Sequence, residues 1–262
     1  MVLLLFLGIK VQAQQWTISD SLSLNAAVRS VSSDVLGNLY VANHKGELSR
    51  YSASLEKQET YSNQQLETIS ALDAGQMLRI FAFYEETQQF QFFNRFLNPL
   101  HPPKGFSHKS GTAQIGTATM SSDQMIWLVD EANLRLQKYN PILEQVILSM
   151  DLSYYVTGVL EAKSLKERNN QLFLHQQDEI LVFDFMGNFI SKLPLQISGP
   201  FSIYENRLYY CQDNQVFVYR LDNMQTTSVH TLREEDVEFV IGTKDKLYLF
   251  SKKKIRALRK IN

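Results

Sequence analysis

The chain has 262 residues, of which 44% are hydrophobic and 20% charged, and its formal net charge is −1. This composition is typical of a globular protein with a large core, and the near-zero charge excludes nucleic-acid or membrane-surface binding driven by bulk charge. Because Cys211 is the only cysteine, an intrachain disulfide is also excluded.

The first thirteen residues have the pattern of a secretory signal peptide. Val2–Gly8 is an apolar core, and Val11–Ala13 is a small-residue cleavage site, although no basic residue precedes Val2. We expect cleavage after Ala13, so that the mature chain starts at Gln14. The apolar run is shorter than the roughly 20 residues of a transmembrane helix. We therefore expect export to a periplasm or the cell exterior and no transmembrane segment, with a buried strand as the alternative.

The clearest local pattern is a turn, a strand, a second turn and a second strand. Asp34–Asn38 is a turn cluster, and Leu39–Ala42 is a short run of β-forming residues. Asn43–Gly46 is a second turn, and Glu47–Tyr51 alternates like a strand. The pattern predicts a tight β-hairpin that begins with a polar turn.

Weaker copies of this pattern recur along the chain. Six apolar anchors mark them, with spacings of 39, 48, 46, 36 and 39 residues: Leu39, Leu78, Ile126, Leu172, Leu208 and Leu247. A period of about 40 residues is typical of propeller blades with four short strands each. The sequence therefore predicts an all-β, six-bladed β-propeller that forms a single domain over residues 14–262.

The two ends of the chain predict how the propeller closes. Trp16–Leu24 alternates like a strand but has no upstream partner, whereas Lys253–Ile261 ends the last unit one strand short. We predict that these segments pair, because such pairing leaves no open edge between the first and last blades. We place the blades at 26–62, 66–107, 111–149, 155–195, 197–231 and from 237 onward. The polar run Lys163–Asn170 is the one place where we expect a helical turn to intrude.

Two segments resemble a known repeat. Asp34–Ala42 and Asp130–Tyr139 are similar to the repeats of NHL and YVTN-like (TolB-type) propellers, and the overall arrangement resembles uncharacterised exported propellers of Bacteroidetes-type bacteria. We assign no Asp-x-x-Gly-Asn turn to blades four to six. The resemblance implies a six-bladed propeller, a fold that hosts binding modules, scaffolds, lactonases and lyases, so it does not select a function.

Two groups of residues are candidates for contact with a ligand or partner. The turns between second and third strands share one face and bring together His44, Asp130, His175 and Gln212. The longest loop carries His101, Lys104 and Phe106. The alternatives are solvated turn residues for the first group, and for the second a basic loop without a role that Phe106 packs down.

Our leading hypothesis is a non-enzymatic, monomeric propeller that binds another envelope or secreted protein as a scaffold. The alternative is a metal-dependent hydrolase, lactonase or lyase with a site at the channel mouth. That enzyme needs converging ligands, and the carboxylates predicted on inner strands are Glu67, Asp73, Asp123, Glu161 and Glu205. The chain has no phosphate-binding loop, dinucleotide fingerprint or serine-hydrolase motif, so we expect no cofactor and assign no metal ligand or catalytic residue. A carbohydrate-binding module ranks last, because Trp16 and Trp127 both fall in predicted strands.

Overall fold

The computed structural model describes residues 16–63, 67–76, 79–106, 114–232 and 237–260. Within these ranges the chain forms six four-stranded antiparallel sheets, which confirms the prediction of a six-bladed, all-β propeller. The predicted signal segment lies outside the described residues. No helix in the described ranges has the length and hydrophobicity needed to cross a membrane.

Blades one to five each follow chain order from the innermost to the outermost strand, and the last blade combines both ends of the chain. Blade one contains β2 (Val28–Ser33), β3 (Leu39–Asn43), β4 (Glu47–Tyr51) and β5 (Lys57–Ser62). Blade two contains β6 (Ala71–Gln76), β7 (Arg79–Tyr84), β8 (Gln89–Phe93) and β9 (Lys104–Gly105). Blade three contains β10 (Ile115–Met120), β11 (Ile126–Asp130), β12 (Arg135–Asn140) and β13 (Gln145–Asp151). Blade four contains β14 (Ala162–Arg168), β15 (Gln171–Gln176), β16 (Glu179–Asp184) and β17 (Phe189–Lys192). Blade five contains β18 (Phe201–Tyr204), β19 (Arg207–Gln212), β20 (Gln215–Arg220) and β21 (Gln225–Thr231). Blade six contains β22 (Val237–Gly242), β23 (Lys246–Ser251), β24 (Lys254–Lys260) and β1 (Trp16–Ser23).

The predicted closure is confirmed. Strand β1 is the outermost strand of blade six and pairs antiparallel with β24, from Trp16 opposite Lys260 to Ser23 opposite Lys254. The chain then enters blade one, where the Val28 amide donates to the Lys252 carbonyl at 2.9 Å. Because these hydrogen bonds join the ends of the chain, the first and last blades share no open edge.

Four antiparallel strands per blade give the propeller two different faces. Each blade is entered and left on the same face, which we call the upper face and which also carries the turns between second and third strands. The opposite, lower face carries the turns between first and second strands and between third and fourth strands. Every large side chain can therefore be assigned to a face or to the core from its position in its blade.

The core consists of apolar clusters between neighbouring blades. Phe83, Phe90, Phe106 and Tyr139 pack together at the junction of blades two and three. Trp127 is fully buried between blades three and four. The strands that supply these residues are buried on both sides, which explains their continuous apolar runs.

The prediction of a helical turn within Lys163–Asn170 is wrong. Residues 162–168 form β14, the innermost strand of blade four, and only Asn169 and Asn170 form the turn that follows. The run is polar because side chains of this strand border a cavity on the propeller axis, where water can solvate them. A polar inner strand lacks the apolar pattern that identifies buried strands elsewhere in the chain.

The Asp-x-x-Gly-Asn turn has a direct structural role. Asp34 Oδ1 accepts the amides of Leu36 and Asn38 at 2.9 Å, and Gly37 adopts a φ of +82°. Asp184 and Asn188 form the same turn in blade four, with Gly187 at a φ of +85°. This second copy was not predicted, because it lies between the third and fourth strands of its blade, whereas the copy at Asp34 lies between the first and second strands. The motif therefore supplies the two things that this tight turn requires: side-chain acceptors for its amides and a glycine in the left-handed conformation.

Candidate functional site

A cavity of about 180 Å³ lies on the propeller axis. Its wall takes residues from the inner strands of all six blades: β2, β6, β10, β14, β18 and β22. Each of these strands pairs with a neighbour on one side only, so its inner backbone edge also borders the axis. This volume is large enough for several waters or a small ligand, since one water needs about 10–15 Å³ of such space.

The charged side chains in the cavity wall are all cationic: Arg29, Lys163, Lys166 and Arg168. Hydroxyl side chains also line it, from Ser30, Ser32, Ser33, Ser70, Thr117, Ser164 and Ser202. No aspartate or glutamate among the described residues lines this cavity. The Ser164 hydroxyl is buried and has no hydrogen-bond partner among the described residues. The wall therefore offers hydrogen-bond donors and positive charge to whatever occupies the space.

Two of the cations are placed by irregularities in the sheets. The pairing of β2 with β3 shifts between Val28 and Ser30, and that of β14 with β15 shifts between Ala162 and Ser164. Each shift leaves one extra residue, Arg29 and Lys163 respectively, at the upper end of the inner strand. Such bulges redirect a side chain away from the regular alternation of a strand. Both residues are exposed and stand at the upper mouth of the cavity.

Lys166 is the innermost of the unpaired cations. It forms no salt bridge and no hydrogen bond with any described residue, and its partial solvent contact comes from the cavity that it borders. Burial lowers the pKa of Lys166 from 10.5 to about 8, because desolvation disfavours the charged form, and the nearby Asp73 carboxylate only partly opposes this effect. Near neutral pH the lysine carries a charge that the surrounding protein does not fully compensate.

Arg168 and Asp73 form a pair at the lower end of the cavity. Arg168 reaches from blade four to Asp73 of blade two, with 3.4 Å between Nη2 and Oδ1. Asp73 also accepts the Gly75 amide and the Thr119 hydroxyl, each at 2.8 Å. Burial opposes ionisation of Asp73, but Arg168 and these two donors outweigh it and keep the pKa of this carboxyl below its usual value. The charge of Arg168 is thus largely matched, whereas that of Lys166 is not.

Two of the predicted contact residues come together on the upper face. His44 and Gln212 line one depression there with Arg29 and Glu238, and His44 is exposed. Cys211 also borders this depression, and burial raises the pKa of its thiol to about 12, so the thiol remains protonated. Gln212 Oε1 is buried without a hydrogen-bond partner among the described residues. This depression is open to a ligand, but it carries both signs of charge.

The other two predicted upper-face residues are buried in the fold. Asp130 is fully buried and accepts the Asn133 amide at 3.2 Å and the Asn133 side-chain amide at 2.9 Å. The Nε2–H of His175 donates to the Ile197 carbonyl at 2.8 Å, and burial lowers the pKa of this imidazole. Both side chains stabilise turns and blade contacts, and the structure does not bring them to His44 and Gln212.

The predicted loop residues pack against neighbouring blades. Phe106 is 8% exposed and lies in the aromatic cluster between blades two and three. The His101 ring contacts Phe90 and Phe92 edge-on, and Lys104 Nζ lies 3.2 Å from Glu144 of blade three. The structure therefore gives all three residues internal partners.

The carboxylates considered for a metal site do not converge. Only Asp73 lies on an inner strand; Glu67 and Glu161 lie outside the strands, and Asp123 and Glu205 lie in or beside lower-face turns. Within the described residues no group of three or more His, Cys, Asp or Glu side chains is placed to hold a metal ion. The cations that line the axial cavity would also repel a divalent cation. The proposed metal-dependent enzyme therefore has no ligand set in the described part of the chain.

Comparison with known proteins supports the fold and no finer assignment. The WD40 domain of Pan2 from Neurospora crassa is similar in structure, with a TM-score of 0.66 over 95% of this chain and 97% of that chain, at 9% sequence identity. No protein-family model matches the chain, and no curated protein is significantly similar to it in sequence. The similarity at this identity shows a shared propeller fold alone.

Proposed function

We propose that this protein is an exported, non-enzymatic interaction module that binds another envelope or secreted protein through its lower face. The observation that carries the proposal is the set of large apolar side chains exposed in lower-face turns of blades one to five: Val35, Leu36, Phe96, Ile142, Leu143, Phe185, Met186 and Met224. Clustered exposed apolar side chains are typical of protein interaction sites, whereas isolated ones are ordinary.

Contacts between blades anchor two of these turns. Arg50 of blade one donates to the Arg95 carbonyl at 3.0 Å, next to Phe96. Lys138 Nζ of blade three donates to the Phe185 carbonyl at 3.3 Å and lies 5.3 Å from the Phe185 ring centroid. These two contacts anchor the turns that carry Phe96 and Phe185 to the strands of the preceding blade, so that these parts of the surface are ordered before a partner binds.

The upper face offers a weaker apolar surface. Its exposed large apolar side chains among the described residues are Tyr154 and Val159, both in the connection between blades three and four. The rest of its turns and mouth carry polar and charged groups, as the depression around His44 shows. A partner that binds by burying apolar surface can therefore bury more of it on the lower face than on the upper face.

Site-specific photo-crosslinking in the native envelope tests this assignment. The crosslinker is placed at Leu36, Ile142 or Met186 on the lower face, and at His44 or Tyr154 on the upper face as matched controls. We expect the three lower-face positions to label the same partner protein and the two upper-face positions to leave it unlabelled. The triple variant with serine at the three lower-face positions should bind the purified partner at least tenfold more weakly, whereas Tyr154→Ser should bind like the wild type.

Three outcomes would contradict the proposal. They are labelling of lipid in place of protein, equal labelling from both faces, and a triple variant that retains wild-type affinity. The export part of the proposal rests on the apolar segment Val2–Gly8 and the Val11–Ala13 site. Cell fractionation followed by N-terminal sequencing should find the protein outside the cytoplasm with Gln14 first. Recovery of the uncleaved chain in the cytoplasm would refute export and with it the envelope or secreted partner, and would leave only the assignment of the lower face as the interaction surface.

The NHL and TolB-type resemblance fits this proposal without being needed for it. Its strongest element, the turn that begins at Asp34, is explained by local hydrogen bonding and carries no ligand chemistry. The family likeness therefore supports a propeller scaffold and adds no residue to the interaction surface.

A further inference from the structure

We propose that the axial cavity is a binding site for a small oxyanion, the phosphate, sulfate or carboxylate group of a soluble molecule, with Lys166 as its central contact. The proposal concerns the interior of the propeller and is independent of the lower-face interaction surface. Three features of the cavity support it: its charge, its hydrogen-bond donors and its access from the upper face.

The first feature is an imbalance of charge inside the wall. Lys163 is paired with Asp178 at 3.1 Å, and Arg168 with Asp73 at 3.4 Å. Lys166 has no such partner among the described residues. Asp73 lies near Lys166 but is paired with Arg168, so it compensates the lysine only in part. A partly compensated cation in a low-dielectric space is unfavourable, and an anion beside it lowers this cost.

The second feature is the set of hydroxyl groups that surrounds Lys166. Ser164 precedes it by two residues on β14, so both side chains lie on the same side of the strand, and the Ser164 hydroxyl is buried and unpartnered. Ser202 and Thr117 line the same cavity from β18 and β10. An oxyanion can accept more hydrogen bonds than a single water, which accepts at most two, and bonds to a charged acceptor are among the stronger ones.

The third feature is the route into the cavity. The bulges on β2 and β14 place Arg29 and Lys163 at its upper mouth, so an anion that enters from the upper face passes two cationic side chains. The acidic groups near this mouth are Glu85, Glu131, Asp178, which pairs with Lys163, and Glu238, which lines the depression beside Arg29. Burial together with the Glu131 charge raises the pKa of Glu85. Glu131 has a structural partner of its own, because its Oε1 accepts the Ala162 amide at 2.7 Å.

Sulfate is the probe for the test, because it stays a dianion over the whole pH range in which lysine titrates. Isothermal titration calorimetry and thermal melting are carried out with the full mature chain at low millimolar sulfate, with chloride adjusted to keep ionic strength constant. We expect saturable binding of sulfate to the wild type. Lys166→Met should weaken it at least tenfold, while Lys192→Met, which removes an exposed lysine on β17, should leave it unchanged.

The pH dependence of sulfate affinity is a second measurement, and a general salt effect would not change it. The charged groups that face Lys166 are Arg29, Lys163 and Arg168 along the cavity and Asp73 below it. Sulfate affinity of the wild type should fall at least threefold between about pH 7 and about pH 9.5 as Lys166 loses its proton. The corresponding change in Lys166→Gln should be smaller than twofold.

Displacement of sulfate then distinguishes the source of the oxyanion. Displacement by inorganic phosphate but not by acetate assigns the site to phosphorylated ligands, and the reverse assigns it to carboxylates. A response to sulfate that does not saturate, or that is equal in the wild type and in Lys166→Met, reflects exclusion of sulfate from the protein surface and overturns the proposal. Failure here leaves the lower-face proposal untouched, because none of its residues borders the cavity.

Discussion

Adjacent residues of strand β14 show two opposite ways of burying a charged side chain. Glu167 points into the junction with blade three, where its carboxyl group accepts the Ser121 hydroxyl at 2.7 Å, the Ser122 amide at 2.8 Å and the Trp127 Nε1–H at 2.6 Å. Lys166 points to the axial cavity and has no hydrogen-bond partner among the described residues. One side chain is fully satisfied by the fold, and the other is left for an external partner.

This difference separates structural residues from candidate functional ones. A buried polar group with several good partners stabilises the native state, and its loss leaves those partners unpaired. A buried charge without partners destabilises the native state, so its retention needs a reason outside stability, such as a ligand. The same criterion places Asp130 with the structural residues, and Lys166 and the Ser164 hydroxyl with the functional candidates.

The largest effect that this comparison predicts is at Glu167. Glu167→Ala should lower the free energy of unfolding by about 3 kcal/mol, because it leaves the buried Ser121 hydroxyl and Trp127 indole N–H, and the partly buried Ser122 amide, without this acceptor. Urea unfolding of the variant and the wild type at neutral pH measures this difference. Glu56→Ala, at an exposed residue of the turn before β5, serves as the control and should change the free energy by less than about 0.5 kcal/mol. A loss at Glu167 as small as that of the control would mean that its three hydrogen bonds do not stabilise the blade junction.

A smaller effect of opposite sign is predicted at Lys166. Lys166→Met should raise the free energy of unfolding by about 1–2 kcal/mol at pH 7, because an apolar side chain replaces a buried charge that Asp73 compensates only in part. The pKa of Lys166 in the folded protein is about 8, below its unfolded value of 10.5. Below pH 8 both states are protonated and the penalty is fully present. Between pH 8 and 10.5 the folded state releases its proton first, so the wild type gains stability as pH rises.

The advantage of Lys166→Met should therefore shrink between pH 7 and pH 9.5 in urea unfolding experiments without added anion. Lys192→Met is again the matched control and should show no such trend. A variant that is destabilised at both pH values would indicate that the lysine stem fills space in the wall, and it would contradict the assignment of Lys166 as an unsatisfied charge.

The architecture could be predicted from the sequence because it rests on local signals. Strands such as Ile126–Asp130 are apolar runs buried on both sides, and turns such as Asp34–Asn38 contain residues selected by backbone conformation. The pairing of Trp16–Ser23 with Lys254–Lys260 followed from the need to close the ring. These features repeat at a regular spacing, so even degenerate copies reveal them.

The candidate sites could not be predicted in the same way, because they depend on which strands share the axis or a face. The polar run around Lys166 interrupts the apolar pattern of blade four in the sequence. Only the structure shows that this inner strand borders a cavity, which is why it carries lysine and serine. The apolar tips at Leu36, Ile142 and Met186 lie far apart in sequence, and only the alternation of turns within blades brings them to one face. Glu167 and Arg168 likewise find their partners in other blades, at sequence distances that no local pattern reveals.

The most direct test of the contrast between Lys166 and Glu167 is the pKa of Lys166 itself. Selective carbon-13 labelling at the lysine ε-carbon, with Lys166→Met to assign the signal, gives this value by NMR titration in chloride and in sulfate. We expect a pKa of about 8 in chloride and a rise of at least half a unit in saturating sulfate, because the bound anion stabilises the ammonium form. A pKa at the ordinary lysine value in chloride, with no change in sulfate, would show that Lys166 is already satisfied and would contradict the account.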